Sequence, residues 1–402
     1  MKTIGHIDAD CFYVSCERVR DPFLKNKPVV VLGNQGACVI AKSYETKIFG
    51  ITVGMPVWQA KKACPTLICV KRDFAWYEVI SEAMRQVFRR YSDCVEYYSI
   101  DESFIDFGEY PKSWVTLAKT IQNEIMEEVG IPVSVGIGMT RIIAKIGSDK
   151  NKPFGVCIVT PKNITKFLKE VTIQEIPGIG SKLSEKLLMR KINTAFDYIK
   201  KPSPYIKKLL HKPGEEIWYE LQGKSILPIR SIRPEHKVVS RGGSLWGRHG
   251  NQDYIWAFLL RHLERFMDAL WKQEVEIKSI MIVLIAENGI PFKAIVPLPD
   301  YSNSYLDLMK ALKSAFFHIF SPGTKYVMAH IVGTPIRSIY GKQMSILEKD
   351  TKSKKWTNLK QTLNKQFGLF TVRSGATAYA PDVFSDKAGD VEISDLEGKF
   401  CF

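Results

Sequence analysis

Two pairs of acids place the tightest constraint on how this chain can fold. Asp8 and Asp10 close the apolar run KTIGHIDAD, which reads as a short buried strand passing into a turn and then a helix. Asp101 and Glu102 lie in VEYYSIDESFIDF (95–107), where two β-rich stretches flank a tight turn and give a hairpin signal. Strand ends are rigid, and a hairpin turn presents neighbouring acids to one point. Carboxylates gathered in this way repel unless a cation lies between them, so the pattern asks for a hard divalent ion. Either pair alone reads equally well as solvated turn residues. The two together, bracketed by apolar strands, point to a site.

The segments around these acids fix the fold class. Residues 76–91 carry apolar positions at helical spacing, and a second helix is expected over about 114–129. A strand (133–138), a helix near 140–150 and another strand (155–159) follow. This strand–helix–hairpin–helix–strand order implies an α+β layer with helices on one face. Inserted before it are a strand at 28–32 and a stretch broken by Gly50 and Gly54. From Thr172 the chain is glycine-punctuated and helical to about Leu221, and the proline-bearing, basic stretch 228–237 reads as a linker. A separate α+β unit is expected beyond it. It has a helix over 253–273, strands at 277–286 and 292–298, a helix at 303–320 and a strand at 326–332.

The 402 residues suit about two to four domains. Lys and Arg total 57 against 42 acids, a net +15 that favours a polyanionic partner, although a soluble protein can also simply be basic. The eight cysteines contain no C-x-x-C pair, which reads as free thiols in a reducing compartment and excludes a disulfide framework or a zinc site. Acids occupy the opening residues where a signal peptide needs an apolar core, and apolar runs such as 280–286 are too short to span a bilayer. A cytoplasmic protein with no membrane partner is expected.

Four segments, HIDADCFYVSCE, AKSYETKIFGITVGMP, YYSIDESFIDF and IIAKIGSDKNKPFGV, resemble successive signature motifs of the Y-family translesion DNA polymerases, in family order and closest to the bacterial UmuC-like branch. The resemblance covers roughly residues 1–340. It implies a multidomain right hand: a ferredoxin-like palm (1–22 and 76–170), small fingers (23–75), a helical thumb (171–228), a linker (229–237), an α+β little finger (238–342) and a tail (343–402). The implied activity is template-directed addition of deoxynucleotides to a primer 3′ end, with low fidelity and bypass of damaged bases. Two Mg2+ ions about 4 Å apart would assist the transfer. A nucleotide cyclase on the same palm, a catalytically silent DNA-binding scaffold and a repair nuclease are the competing readings.

By the same resemblance, Asp8 and Asp101 would bridge both ions, Glu102 would complete the ion at the primer, and the Ala9 carbonyl would serve the nucleotide-bound ion. Asp10 is expected to support the site, and neither it nor Asp106 is assigned as a ligand. Cys11, Phe12 and Tyr13 follow the first strand, where backbone N–H groups can cradle phosphates. Tyr13 aligns with the aromatic steric gate against a 2′-hydroxyl, whereas Phe12 reads as core. Tyr44, Lys47 and Lys152 match positions that grip the triphosphate. Lys47 departs from the Arg usual there, which loses a bidentate fork. Lys145 is a further candidate or a surface lysine.

IPGIGSKLSEKL (176–187) matches a helix–hairpin–helix, in which Gly178, Gly180 and Lys182 would approach DNA phosphates. Ser184 departs from the small apolar residue often found in its second helix. Arg230, Arg233, Lys237, Arg241 and Arg248 would line a little finger that grips DNA backbone without reading sequence. Gly223-Lys224-Ser225 ends like a P-loop, but Trp218 stands where its first glycine belongs. Gln343-Met344-Ser345-Ile346-Leu347 resembles a sliding-clamp docking pentapeptide, with Leu347 in place of the usual Phe. The expected partners are therefore primed DNA template, deoxynucleoside triphosphate, a sliding clamp and a UmuD-like accessory protein.

Overall fold

The run ending at Asp8 forms the middle strand of a five-stranded sheet. In the computed structural model, which describes residues 3–33, 38–108, 113–232, 237–340, 352–367 and 371–375, that strand is β1 (Ile4–Ala9). It passes into α1 (Phe12–Arg20). Next come β2 (Val29–Leu32), β3 (Val39–Lys42), α2 (Val57–Ala63) and β4 (Ile68–Lys71), whose strands form a small sheet of order β3-β2-β4. α3 (Phe74–Phe88), β5 (Val95–Tyr97), β6 (Glu102–Asp106), α4 (Trp114–Glu128), β7 (Val133–Gly138), α5 (Arg141–Lys150) and β8 (Val156–Ile158) complete the larger sheet, of order β5-β6-β1-β7-β8. α3 starts where the Asp73 side chain accepts from the Trp76 N–H, and its buried residues recur at helical spacing from Phe74 to Phe88.

Strand alternation sorts the sheet residues into two faces. Ile7, Ala9, Ile105, Val133, Val135 and Ile137 pack with the apolar stripes of α3 and α4. Each buried Ile or Val side chain among them contributes roughly 1.5–3 kcal/mol through removal from water. Ile4, His6, Asp8 and Phe104 take the opposite face. That face is not bare: Ile4 and Phe104 pack on Ala144 of α5, and the His6 ring meets Ser148. The expectation of helices on one face is therefore corrected. The reason lies in β7, which presents Ser134, Gly136 and Gly138 to α5. A Cβ on Gly136 would stand 2.0 Å from the Ala144 carbonyl oxygen and 2.3 Å from the Ser148 nitrogen, so only glycine lets the α5 backbone lie this close to the strand.

α6 (Ile164–Glu170), α7 (Ser181–Leu188), α8 (Ala195–Lys200) and α9 (Ser203–Leu221) follow, and α9 is broken at His211, ahead of Pro213. In the hairpin before α7, the first helix is only a short 3-10 turn (Ile173–Glu175), and Gly178 takes φ +89°. The chain divides into two compact units at residues 233 and 234. The segment read as a linker is fastened at its start, because the Pro228 carbonyl accepts from Arg141 and the Arg230 N–H donates to Glu96.

The second unit contains β9 (Val239–His249), α10 (Gln252–Lys272), β10 (Val275–Ala286), β11 (Pro291–Ser302), α11 (Tyr305–Ile319), β12 (Tyr326–Ser338) and α12 (Lys352–Phe367). Its antiparallel sheet has the order β11-β10-β12-β9. Ile280, Ile282 and Leu284 face α10 and α11, while Met281, Val283 and Ile285 point the other way and are only half-buried. β12 runs beyond the expected 332 because its tail goes on pairing with β10 as far as Ser338 opposite Val275, and Pro335 is tolerated there because the pairing with β9 ends at Gly333. α12 was not expected at all. It docks through a buried ion pair, Lys360 Nζ to Glu264 Oε1 at 2.5 Å. Among the described residues no helix is long and apolar enough to cross a membrane.

Candidate active site

The register of the larger sheet brings the two acid pairs together. β1 and β6 are antiparallel with Asp8 opposite Glu102, and the Ala9 N–H donates to the Asp101 carbonyl at 2.9 Å. Asp106 pairs with Ile4 at the far end of the same ladder, so it lies away from the site. Asp8, Ala9, Asp101 and Glu102 line a cleft of about 560 Å³ together with Cys11, Phe12, Tyr13, Tyr44, Lys47 and Lys152. Its walls come from the end of the sheet, the start of α1 and the segment after β3.

Each carboxylate is engaged by a donor of its own. Lys152 Nζ lies 2.7 Å from Asp8 Oδ1 and 2.8 Å from Asp149. Lys145 pairs with Glu102, and His6 Nε2 stands 3.5 Å from the same carboxylate. The Ser99 hydroxyl donates to Asp101. Burial pushes the Asp8 carboxyl up to about 7, helped by Glu102 and Asp101 and opposed by Lys152. Burial likewise raises Asp101. It also works against ionised Glu102, but His6 and Lys145 outweigh it and hold that group down at about 2. Burial drops His6 to about 4, leaving a neutral ring at ordinary pH.

The three carboxylates expected to hold divalent ions share this cleft, each on a partner of its own. Among the described residues, no three His, Cys, Asp or Glu side chains are gathered to hold a metal ion. Lysine ammonium groups stand beside two of the three, Lys152 at Asp8 and Lys145 at Glu102, and offset their charge. The donor set still fits a divalent ion. Three hard carboxylates share one cleft, and burial disfavours the charge on Asp8 despite Lys152, a cost that a bound cation relieves.

The side of the cleft formed by the start of α1 and the segment after β3 has a different chemistry. Cys11 takes the left-handed conformation at the start of α1, whose first turn holds no acid and no side-chain cap. Phe12 is core, 4 % exposed. Tyr13 borders the cleft and stacks on Tyr77, ring centroids 4.6 Å apart, with Phe74 edge-on at 5.6 Å. Lys47 Nζ lies 4.5 Å from the centre of the Tyr44 ring. The Tyr44 hydroxyl donates to Asp10 at 3.2 Å.

Comparison with known proteins gives the family. The family described as impB/mucB/samB matches residues 7–149. The chain is 30% identical over 386 residues to DNA polymerase IV 1 of Bacillus subtilis (strain 168), covering 94% of this chain and 93% of that one. The chain belongs to the Y-family DNA polymerases. DNA polymerase IV of Bacillus velezensis is 29% identical over 408 residues, covering 96% and 98%. Among solved structures, a Y-family DNA polymerase chimera of Dbh and Dpo4 superposes with a TM-score of 0.74 at 24% identity, over 84% of this chain and 99% of that one. The insertion ternary complex of Dbh DNA polymerase gives 0.56 at 25% identity, over 84% and 99%. These Bacillus relatives carry the polymerase IV name, so the expected UmuC-like branch finds no support among them.

The remaining residues singled out in this Y-family chain fall in varied places. Gly178 and Gly180 form the hairpin ahead of α7, Lys182 is exposed on its first turn, and Ser184 is buried with its hydroxyl on the Gly180 carbonyl. Arg241 does not lie on the open face of its sheet. Alternation along β9 puts it with Val239 and Leu245 on the face covered by α10, while Gly242 pairs with His330 on the open face. Arg248 is exposed and paired with Glu287. Lys237 is exposed, and Arg233 and the segment Gln343–Leu347 lie outside the described residues.

Four contributors were missed: His6, Ser99, Ser134 and Phe154. His6 shares a strand face with Asp8 by simple alternation, and Ser99 two residues before Asp101 is a serine-turn signal. Nothing local marks Ser134 or Phe154, whose part is set by tertiary contact.

Proposed function

We propose that this chain, a DNA-directed DNA polymerase, extends a primer 3′ end from the cleft at the end of β1 and β6. One observation carries the reading: Asp8, Asp101 and Glu102 converge with Tyr44, Lys47 and Lys152 on a single cleft. Asp8, Asp101 and Glu102, with the Ala9 carbonyl, would hold two Mg2+ ions. When bound, the ions would favour the ionised 3′-hydroxyl and offset the charge of the leaving pyrophosphate. Lys47 and Lys152 add positive charge on the triphosphate side, where charge grows during transfer. Tyr13, braced by Tyr77 and Phe74, forms the wall that excludes a 2′-hydroxyl.

The hand is assigned as palm (1–22 and 76–170), fingers (23–75), thumb (171–228) and little finger (238–342). Gly178, Gly180 and Lys182 approach DNA phosphates from the thumb. In the little finger the contact falls to the open sheet face and exposed Arg248, with Arg241 bracing the strand from behind. Small fingers make few base-edge contacts, so mismatched or damaged templates meet little penalty, which gives translesion synthesis at low fidelity. The branch assignment is polymerase IV-like, and extension then needs no UmuD-like accessory. Gln343–Leu347 would dock a sliding clamp and raise processivity only.

The test is copying of a primed DNA template with magnesium and all four deoxynucleotides, without other proteins. Extension that follows the template supports the reading. A cyclic nucleotide product, or tight DNA binding with no extension even with clamp added, overturns it in favour of the cyclase or the silent scaffold.

A further inference from the structure

We propose that Asp10 is a positioning residue for the incoming nucleotide, tying the two halves of the triphosphate grip to the palm. The inference rests on the polymerase reading above. Asp10 is 1 % exposed, and its carboxylate collects donors from three separate parts of the chain. The Tyr44 hydroxyl donates to Oδ1 at 3.2 Å from the segment after β3. The Ser134 hydroxyl, from β7, lies 3.0 and 3.1 Å from the two oxygens. The Phe154 N–H donates to Oδ2 at 2.7 Å, from the turn that also carries Lys152. Ser134 Oγ in turn accepts from the Gly155 N–H at 3.2 Å, which fastens the same turn a second time.

Tyr44 and Lys152 come from regions more than a hundred residues apart, yet both are referred to one fixed point. A carboxylate suits this task because it only accepts, and all three partners donate. Asparagine at this position would keep the shape but turn an N–H2 group toward one of those donors.

The experiment compares wild type, Asp10→Asn, Tyr44→Phe and the double variant in single-nucleotide insertion, with Glu102→Gln as the control for a metal ligand. Asp10→Asn is expected to raise KM for the deoxynucleotide about tenfold while kcat falls less. The magnesium half-saturation and the DNA affinity should stay put, and Tyr44→Phe should cost less in the Asp10→Asn background than in wild type. Equilibrium binding of deoxynucleotide to the enzyme–DNA complex in calcium, without chemistry, should weaken in parallel with KM. Unchanged nucleotide binding, or fully additive variants, overturns the proposal. A magnesium half-saturation that moves as far as in Glu102→Gln also overturns it, by making Asp10 a ligand. If Asp10→Asn does not fold, Ser134→Ala takes its place, with the same expected rise in KM and the same overturning result. Failure of wild type to extend at all would instead sink the polymerase reading, and this inference with it.

Discussion

The two larger sheets of this molecule are built on opposite plans. In the first unit the sheet β5-β6-β1-β7-β8 is covered on both faces, by α3 and α4 on one and α5 on the other, and its acids crowd one end. In the second unit, among the described residues, α10 and α11 cover one face of the sheet β11-β10-β12-β9, and buried Arg261, His262, Glu264 and Arg265 lie along α10 and not at a strand end. The first plan fixes a few side chains relative to one another, which chemistry needs. The second leaves a broad sheet face open, and the DNA contact proposed for this unit falls there and at exposed Arg248. Both units pack closely and both bury charged groups, but in the first the packing brings acids from two strand ends into one open cleft.

The comparison is tested hardest at its chemical end. Glu102→Gln should lower primer extension by at least about 10²-fold while DNA affinity changes little, because it removes charge from the cleft and none from the second unit. Normal extension by this variant would remove Glu102 from the site. The packing contrast comes next. Gly136→Ala should destabilise the fold by about 3 kcal/mol or more in chemical unfolding, since its Cβ would meet the α5 backbone. Gly243→Ala in β9 has nothing within 4 Å and should be neutral or stabilising by up to about 1 kcal/mol. Equal effects of the two would break the contrast.

Tyr13→Ala should admit ribonucleotides by a factor of roughly 10–100. Unchanged sugar selection would leave the Tyr13–Tyr77 stack a packing feature only. The last test concerns pH. Burial raises the Asp8 carboxyl from 3.8 to about 7, so the folded state holds its proton longer than the unfolded chain does. That contribution to stability is complete below about 4 and is lost as pH rises through about 7. Without divalent ions, wild type should lose stability relative to Asp8→Asn across this window, and magnesium at pH 8 should narrow the gap. A gap that widens on acidification instead would contradict the assigned shift.

Much of this was readable from the sequence, and the misses share a cause. Helix 114–129 and strand 133–138 follow from periodicity and agree with α4 and β7 to within a residue at each end. The Asp8–Glu102 meeting was implied by two acid pairs at strand ends. What escaped depends on partners far along the chain. Gly136 and Gly138 look like weak points in a strand until α5 is laid on them. Lys360 looks like one lysine among many until Glu264, 96 residues away, is placed beside it. Asp10 and the Phe154 N–H are 144 residues apart. Arg241 shows the same limit in another form, because a basic residue in a strand does not declare which face it will take.

The most direct test of the central claim is primer extension by wild type beside Asp101→Ala, on one primed DNA template with magnesium and four deoxynucleotides, with DNA affinity measured in parallel. Template-directed extension by wild type alone, at matched DNA affinity, is the result expected of a carboxylate site at the end of β1 and β6. Equal extension by both proteins would contradict it and place the chemistry elsewhere in the molecule.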